Sequence, residues 1–127
     1  MKILLISKDK DLINICLFSN QPWCEDIIIY NNSFDPLEVL SHSLQINPAI
    51  LIVDDDFLKP ETEHILRSIK NIKKEILTVF VTSDNSMQLG RKISRLGIQL
   101  YAIKPLTDKI MIESIQSLIQ VKKRQYQ

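Results

Sequence analysis

Five short apolar runs, each followed by a segment whose apolar residues recur at helical spacing, constrain this 127-residue chain more than any other feature. The runs lie at 2–6, 26–30, 49–54, 76–82 and 98–103. Their length is that of strands, and their nearly unbroken apolar character is that of strands buried on both faces. Segment 10–20 carries Leu12, Ile13, Cys16 and Leu17. Asp35-Pro36 has the N-cap and N1 signature and opens a helix with Leu37, Leu40 and Leu44 on one face. Pro60 suits the first turn of a helix bearing Ile65, Leu66 and Ile69. A helix over 84–96 shows Leu89, Ile93 and Leu96 and stops at Gly97, and a last one runs from about 107 to the low 120s. Strands alternating with helices through right-handed crossovers predict one α/β domain over 1–127, a parallel sheet with helices on both faces.

Composition narrows the function. A net charge of +1 leaves no footprint for nucleic acid or an anionic membrane surface, and the basic tail Lys122-Lys123-Arg124 reads as a solvated helix end. The first apolar run ends at Ser7-Lys8-Asp9, too soon for a signal peptide, and no segment reaches membrane-spanning length. Cys16 and Cys24 form no CxxC and read as reduced thiols of a cytoplasmic protein. With glycine only at 90 and 97, no phosphate-cradling loop can be written onto a strand-to-helix turn. His42 and His64 fall on different helices without Cys or His at ligand spacing, so no metal site is expected from them.

The strand ends carry the remaining information. Ile50 to Val53 runs into Asp54-Asp55-Asp56, whereas Ile3 to Ile6 runs into Ser7-Lys8-Asp9. In open parallel sheets chemistry collects outside the carboxyl ends of the strands. Together with Thr82-Ser83 after the fourth strand and Tyr101-Ala102-Ile103-Lys104-Pro105 at the fifth, the pattern resembles the receiver domain of bacterial two-component response regulators, over residues 1 to about 121. The resemblance implies a flavodoxin-like (βα)5 three-layer sandwich with strand order 2-1-3-4-5.

Residue by residue, the resemblance makes Asp54 the phosphoacceptor equivalent, six residues after Pro48. Counting back from Pro60 selects Asp56 instead; Asp54 is preferred because a central strand ends where its apolar run ends. Thr82 matches the hydroxyl that contacts the phosphoryl group, Tyr101 the aromatic that follows it, and Lys104, before a cis-prone Pro105, the pairing cation. The departure is at the acidic pair, where Ser7, Lys8 and Asp9 stand in place of two magnesium-binding carboxylates and the next residue. A Lys8 ammonium within about 4 Å of Asp54 would be worth up to roughly 4 kcal/mol and would fill the metal's place. Lys8 snorkelling at the surface is the alternative.

The expectation is therefore a pseudo-receiver that is not an enzyme, has no cofactor and binds magnesium weakly or not at all. It would act through protein contacts with a sensor kinase, an output domain or a second copy. The alternatives are a working phosphoacceptor with an irregular metal site at Asp9, Asp54 and Asp55, and, more remotely, a flavodoxin-like cofactor enzyme. In the last helix Met111, Ile112, Ile115, Leu118 and Ile119 form the core stripe. Ile110 and Val121, with Met87, Arg91 and Arg95 of the preceding helix, mark the expected interaction surface.

Overall fold

The computed structural model describes residues 1–125. Five strands, β1 (Ile3–Ile6), β2 (Ile27–Tyr30), β3 (Ile50–Asp54), β4 (Leu77–Thr82) and β5 (Leu100–Ile103), form one sheet in the order 2-1-3-4-5. Every pairing is parallel, with Ile6 opposite Val53 and Asp54 opposite Val81. The helices are α1 (Lys10–Phe18), α2 (Pro36–Ile46), α3 (Asp55–Leu58), α4 (Thr62–Ile72), α5 (Met87–Ser94) and α6 (Asp108–Gln125). This is the flavodoxin-like arrangement expected from the alternation of apolar runs and helical segments.

Side chains alternate across each strand, so the sheet feeds two cores. Ile3, Leu5, Ile52 and Val79 pack with α1 and α6 through Cys16, Ile115 and their neighbours. Leu4, Leu51, Val53 and Phe80 pack on the other side with Val39, Leu66 and Ile93 of α2, α4 and α5. Each such buried side chain contributes about 1.5–3 kcal/mol of transfer free energy. The core stripe of α6 is as expected, with Met111, Ile115 and Leu118 buried and Ile112 and Ile119 partly so.

Local signals explain the boundaries. Asp9, Asp35 and Ser86 cap α1, α2 and α5 by accepting backbone N–H groups. Gly97 adopts φ +72, which glycine tolerates at the turn into β5. Three features differ from expectation. Helix α2 buries Val39 and Ser43 and leaves Leu37 exposed, because Leu37 lies about 200° around the helix from Val39. Pro60 precedes α4 rather than entering its first turn, since the separate single-turn helix α3 follows β3 directly. A 3-10 turn over Pro22–Asp26, which buries Trp23, leads into β2 and carries no periodicity that a helix or strand template detects. Both cysteines are free, as expected.

Candidate functional site

The parallel sheet delivers the carboxyl ends of β1 and β3, and the turn after β5, to one edge. Asp54 ends β3, is 2% exposed, and caps α3 by accepting the Asp56 N–H at 3.1 Å. The buried Ser7 hydroxyl, just past β1, donates to Asp54 Oδ2 at 2.7 Å. The Lys104 ammonium lies between carboxylates, 3.0 Å from Asp54 Oδ1, 2.9 Å from Asp9 and 3.1 Å from Asp56. It also donates to Asp54 Oδ2 at 3.1 Å. Both carboxylate oxygens of Asp54 are thus hydrogen-bonded within the chain. Among the described residues, no three or more His, Cys, Asp and Glu side chains are grouped so as to hold a metal ion.

The charges respond to this arrangement. For Lys104, burial works to lower the pKa, but hydrogen bonds to Asp9, Asp54 and Asp56 outweigh it and raise the pKa well above its ordinary range. Burial works to raise Asp9, yet the Lys104 bond and the capping N–H groups of Leu12 and Asp11 hold it below its ordinary value. Asp56 behaves likewise: burial is outweighed by the bonds from Ser83 and Lys104. Asp9, Asp56 and Lys104 are therefore charged at neutral pH, with Lys104 shared among the carboxylates and the exposed Lys59 3.6 Å from Asp56 on the outer side.

Lys8 does not enter the cluster. It is exposed, and its ammonium lies 5.6 Å from the centroid of the Phe57 ring, within cation–π range. β1 ends at Ile6, and in the turn beyond it Ser7 stays buried against Asp54 while Lys8 stands exposed. The expected occupant of the acidic site is thereby corrected from Lys8 to Lys104. Beside Lys8, Phe34 meets Phe57 edge-on at 6.4 Å, and a cleft of about 430 Å³ lies between these rings and the carboxylates.

Thr82 also departs from expectation. Its hydroxyl donates to Asp55, not Asp54, at 2.9 Å, and Thr62 of α4 donates to the other Asp55 oxygen at 2.6 Å. Asp55, the first residue of α3, faces away from Asp54 and ties β4 and α4 to the end of β3. Three consecutive aspartates gave no sign of this division, because facing is decided by where the strand ends and the helix begins. Ser83, which donates to Asp56 at 2.7 Å, was missed for the same reason. Tyr101 is partly exposed and stacks on the buried Phe80 with centroids 5.1 Å apart. The Lys104-Pro105 peptide is cis.

On the expected interaction surface, Met87, Arg91, Arg95 and Ile110 are exposed, along with Ile103 of the edge strand β5. Val121 is not part of it: it packs against the core beneath α6 and is only partly accessible. Val121 lies 1100° along the helix from Ile110 and so within 20° of the same face, as expected, but the C-terminal end of that face packs against the core.

No protein-family model matches the chain. A curated relative, the circadian input-output histidine kinase CikA of Synechocystis, is 26% identical over 124 residues, which span 93% of this chain and 15% of the relative. The N-terminal domain of an uncharacterized protein from Wolinella succinogenes superposes with a TM-score of 0.79 at 20% identity, covering 98% of both chains. The signal receiver domain of a DNA-binding response regulator from Colwellia psychrerythraea gives a TM-score of 0.72 at 22% identity, over 94% of this chain and 98% of that one. No helix among the described residues is long and apolar enough to cross a membrane. The chain has the fold that receiver domains share, with an ammonium at the centre of its carboxylate cluster.

Proposed function

We propose that the chain is a receiver-like signalling domain that works through protein contacts, without magnesium-dependent phosphorylation of Asp54. One observation carries the reading: the buried Ser7 hydroxyl donates a hydrogen bond to Asp54 Oδ2 at 2.7 Å, at the position where the resemblance expects a metal-binding carboxylate. The Lys104 ammonium adds to it, within 3.1 Å of Asp9, Asp54 and Asp56. Magnesium requires near-octahedral oxygen ligation, and a carboxylate lost to a neutral hydroxyl removes both charge and a ligand. The donor set therefore does not fit the ion without displacing Lys104. Phosphoryl transfer relies on such a cation to offset developing charge, and Asp54 is left a poor acceptor.

The second reading, a working receiver, draws on the same convergence of three carboxylates, with Asp56 in place of Asp55 as the third ligand. It requires Lys104 to withdraw. Amide spectra separate the two. Under the proposed reading the resonances of Asp9, Asp54 and Asp56 stay fixed as magnesium is raised to about 10 mM, roughly ten times the dissociation constant of about 1 mM of the weakest oxygen-ligand calcium sites. Saturable shifts centred on those residues favour the second reading. In either case the partner is a protein, whether a sensor kinase, an output domain or a second copy, meeting the exposed face of Met87, Arg91, Arg95, Ile103 and Ile110. The chain spans 15% of the histidine kinase it resembles, so a place beside or within a larger cytoplasmic signalling protein is part of the proposal.

A further inference from the structure

At the opposite edge of the sheet, where β1, β3 and β4 begin, three ammonium groups donate to backbone carbonyls and, among the described residues, form no ion pair. Lys122 of α6 is 2% exposed, and its Nζ donates to the Glu75 carbonyl. Lys70 of α4 donates to the next carbonyl, that of Ile76, at 2.6 Å. Lys2, ahead of β1, reaches the Ile46 carbonyl at 3.4 Å. None of the three is within 4.0 Å of a described carboxylate, since the ion pairs of the described residues involve other groups. Burial and the neighbouring Lys122 ammonium together pull Lys70 below its ordinary pKa, so the two charges feel one another.

Each ammonium carries three donors, and each has one carbonyl. A carbonyl dipole does not neutralise a buried cation, which is why buried charges are normally paired. Lys122 and Lys2 both line a cavity of about 760 Å³, floored by Asn47, Pro48 and Ala49 and edged by Glu75. That volume is within the range of small-ligand sites. A phosphate group carries close to two negative charges at neutral pH and several acceptor oxygens, more than a carboxylate offers to converging ammoniums.

We propose that this cavity binds a phosphate group, free or as a small-molecule monoester, between Lys122 and Lys2 with Lys70 supporting the field from behind. The site is independent of the carboxylate cluster and of the signalling role proposed for it. The test is amide chemical-shift titration with inorganic phosphate and, in parallel, glycerol phosphate, against sodium chloride at matched ionic strength to remove general screening. Saturable shifts at Lys2, Asn47, Glu75 and Ile76 with both phosphates, absent with chloride, are expected. Tighter binding of the monoester assigns the site to an ester; equal binding assigns it to the free anion. Lys122→Met, which keeps the buried stem, should weaken binding at least about tenfold, the effect of losing one charge-assisted contact. Lys2→Gln at the exposed rim should weaken it a few-fold and decides the matter if Lys122→Met does not fold. Absence of saturation, an equal response to chloride, or unchanged affinity in the folded variants overturns the proposal.

Discussion

Replacing Lys104 by Met removes the cation that Asp9, Asp54 and Asp56 share and leaves only the exposed Lys59, 3.6 Å from Asp56. Breaking a buried ion pair by deleting one partner typically costs about 3–5 kcal/mol, because the remaining charge is left uncompensated. Here Asp54 is 2% exposed but the side chains of Lys104, Asp56 and Asp9 are 17%, 23% and 28% exposed. Water reaches the rim of the cluster and screens the exposed partners, so the cost falls below that range, to about 2–3 kcal/mol. For a domain of this length each kcal/mol moves the thermal midpoint by roughly 3–5 °C, giving a fall of about 6–15 °C at pH 7.5. The deficit should narrow as the pH is taken below 3.8, because the ion pairs that Asp9 and Asp56 contribute to the parent are lost there. Magnesium should restore part of the lost midpoint in Lys104→Met and leave the parent unchanged, because Asp9 and Asp54 then lack the cation they share in the parent. Circular dichroism melts with and without 10 mM magnesium, a concentration of roughly the order weak sites require, suffice. A variant that melts within about 2 °C of the parent, or a parent that magnesium stabilises as much as the variant, would refute the reasoning.

Acid and alkali should each weaken the fold through the same cluster. Asp9 and Asp56 have folded pKa values held below the ordinary 3.8, so their contribution is present above 3.8 and lost as pH falls through the lower folded values. Lys104 is raised above the ordinary 10.5, so its contribution is complete below 10.5 and lost as pH rises beyond it. Urea midpoints across pH 2–11 should therefore show a plateau between those limits; a maximum confined to pH 4 would contradict it. Thr82→Val leaves the buried Asp55 carboxylate with Thr62 alone and should cost about 1.5–3 kcal/mol in chemical unfolding, and an effect below 0.5 would mean the bond is idle. Ile110→Lys with Met87→Lys should weaken self-association or partner capture while the thermal midpoint stays within about 2 °C, since both residues are exposed; undiminished association would move the interface elsewhere.

Strand order and helix placement were readable because apolar runs and helical spacing are redundant over many residues. The same redundancy marked Met111, Ile115 and Leu118 as the buried face of α6. The site was readable in part. The end of its apolar run put Asp54 at the carboxyl edge and the resemblance brought Lys104 there, but that Lys8 stays outside the carboxylates was not legible. That depends on whether Ser7 or Lys8 turns inward, a difference of one residue in where β1 ends, and a slip of one residue exchanges the faces of a strand. The same sensitivity hid the pairing of Thr82 with Asp55. Val121 was misjudged because helical angle alone ignores how α6 lies on the sheet, and Lys122, read as a solvated helix end, is buried because its stem runs under the loop carrying Glu75.

An inert Asp54 is tested most directly by intact mass after incubation with acetyl phosphate and magnesium, alongside a receiver that is known to respond. The mass should remain that of the unmodified chain, and Lys104→Met should not create a modified species, because Ser7 still stands where a metal-binding carboxylate is needed. A gain of one phosphoryl group that disappears in Asp54→Asn would contradict an inert site.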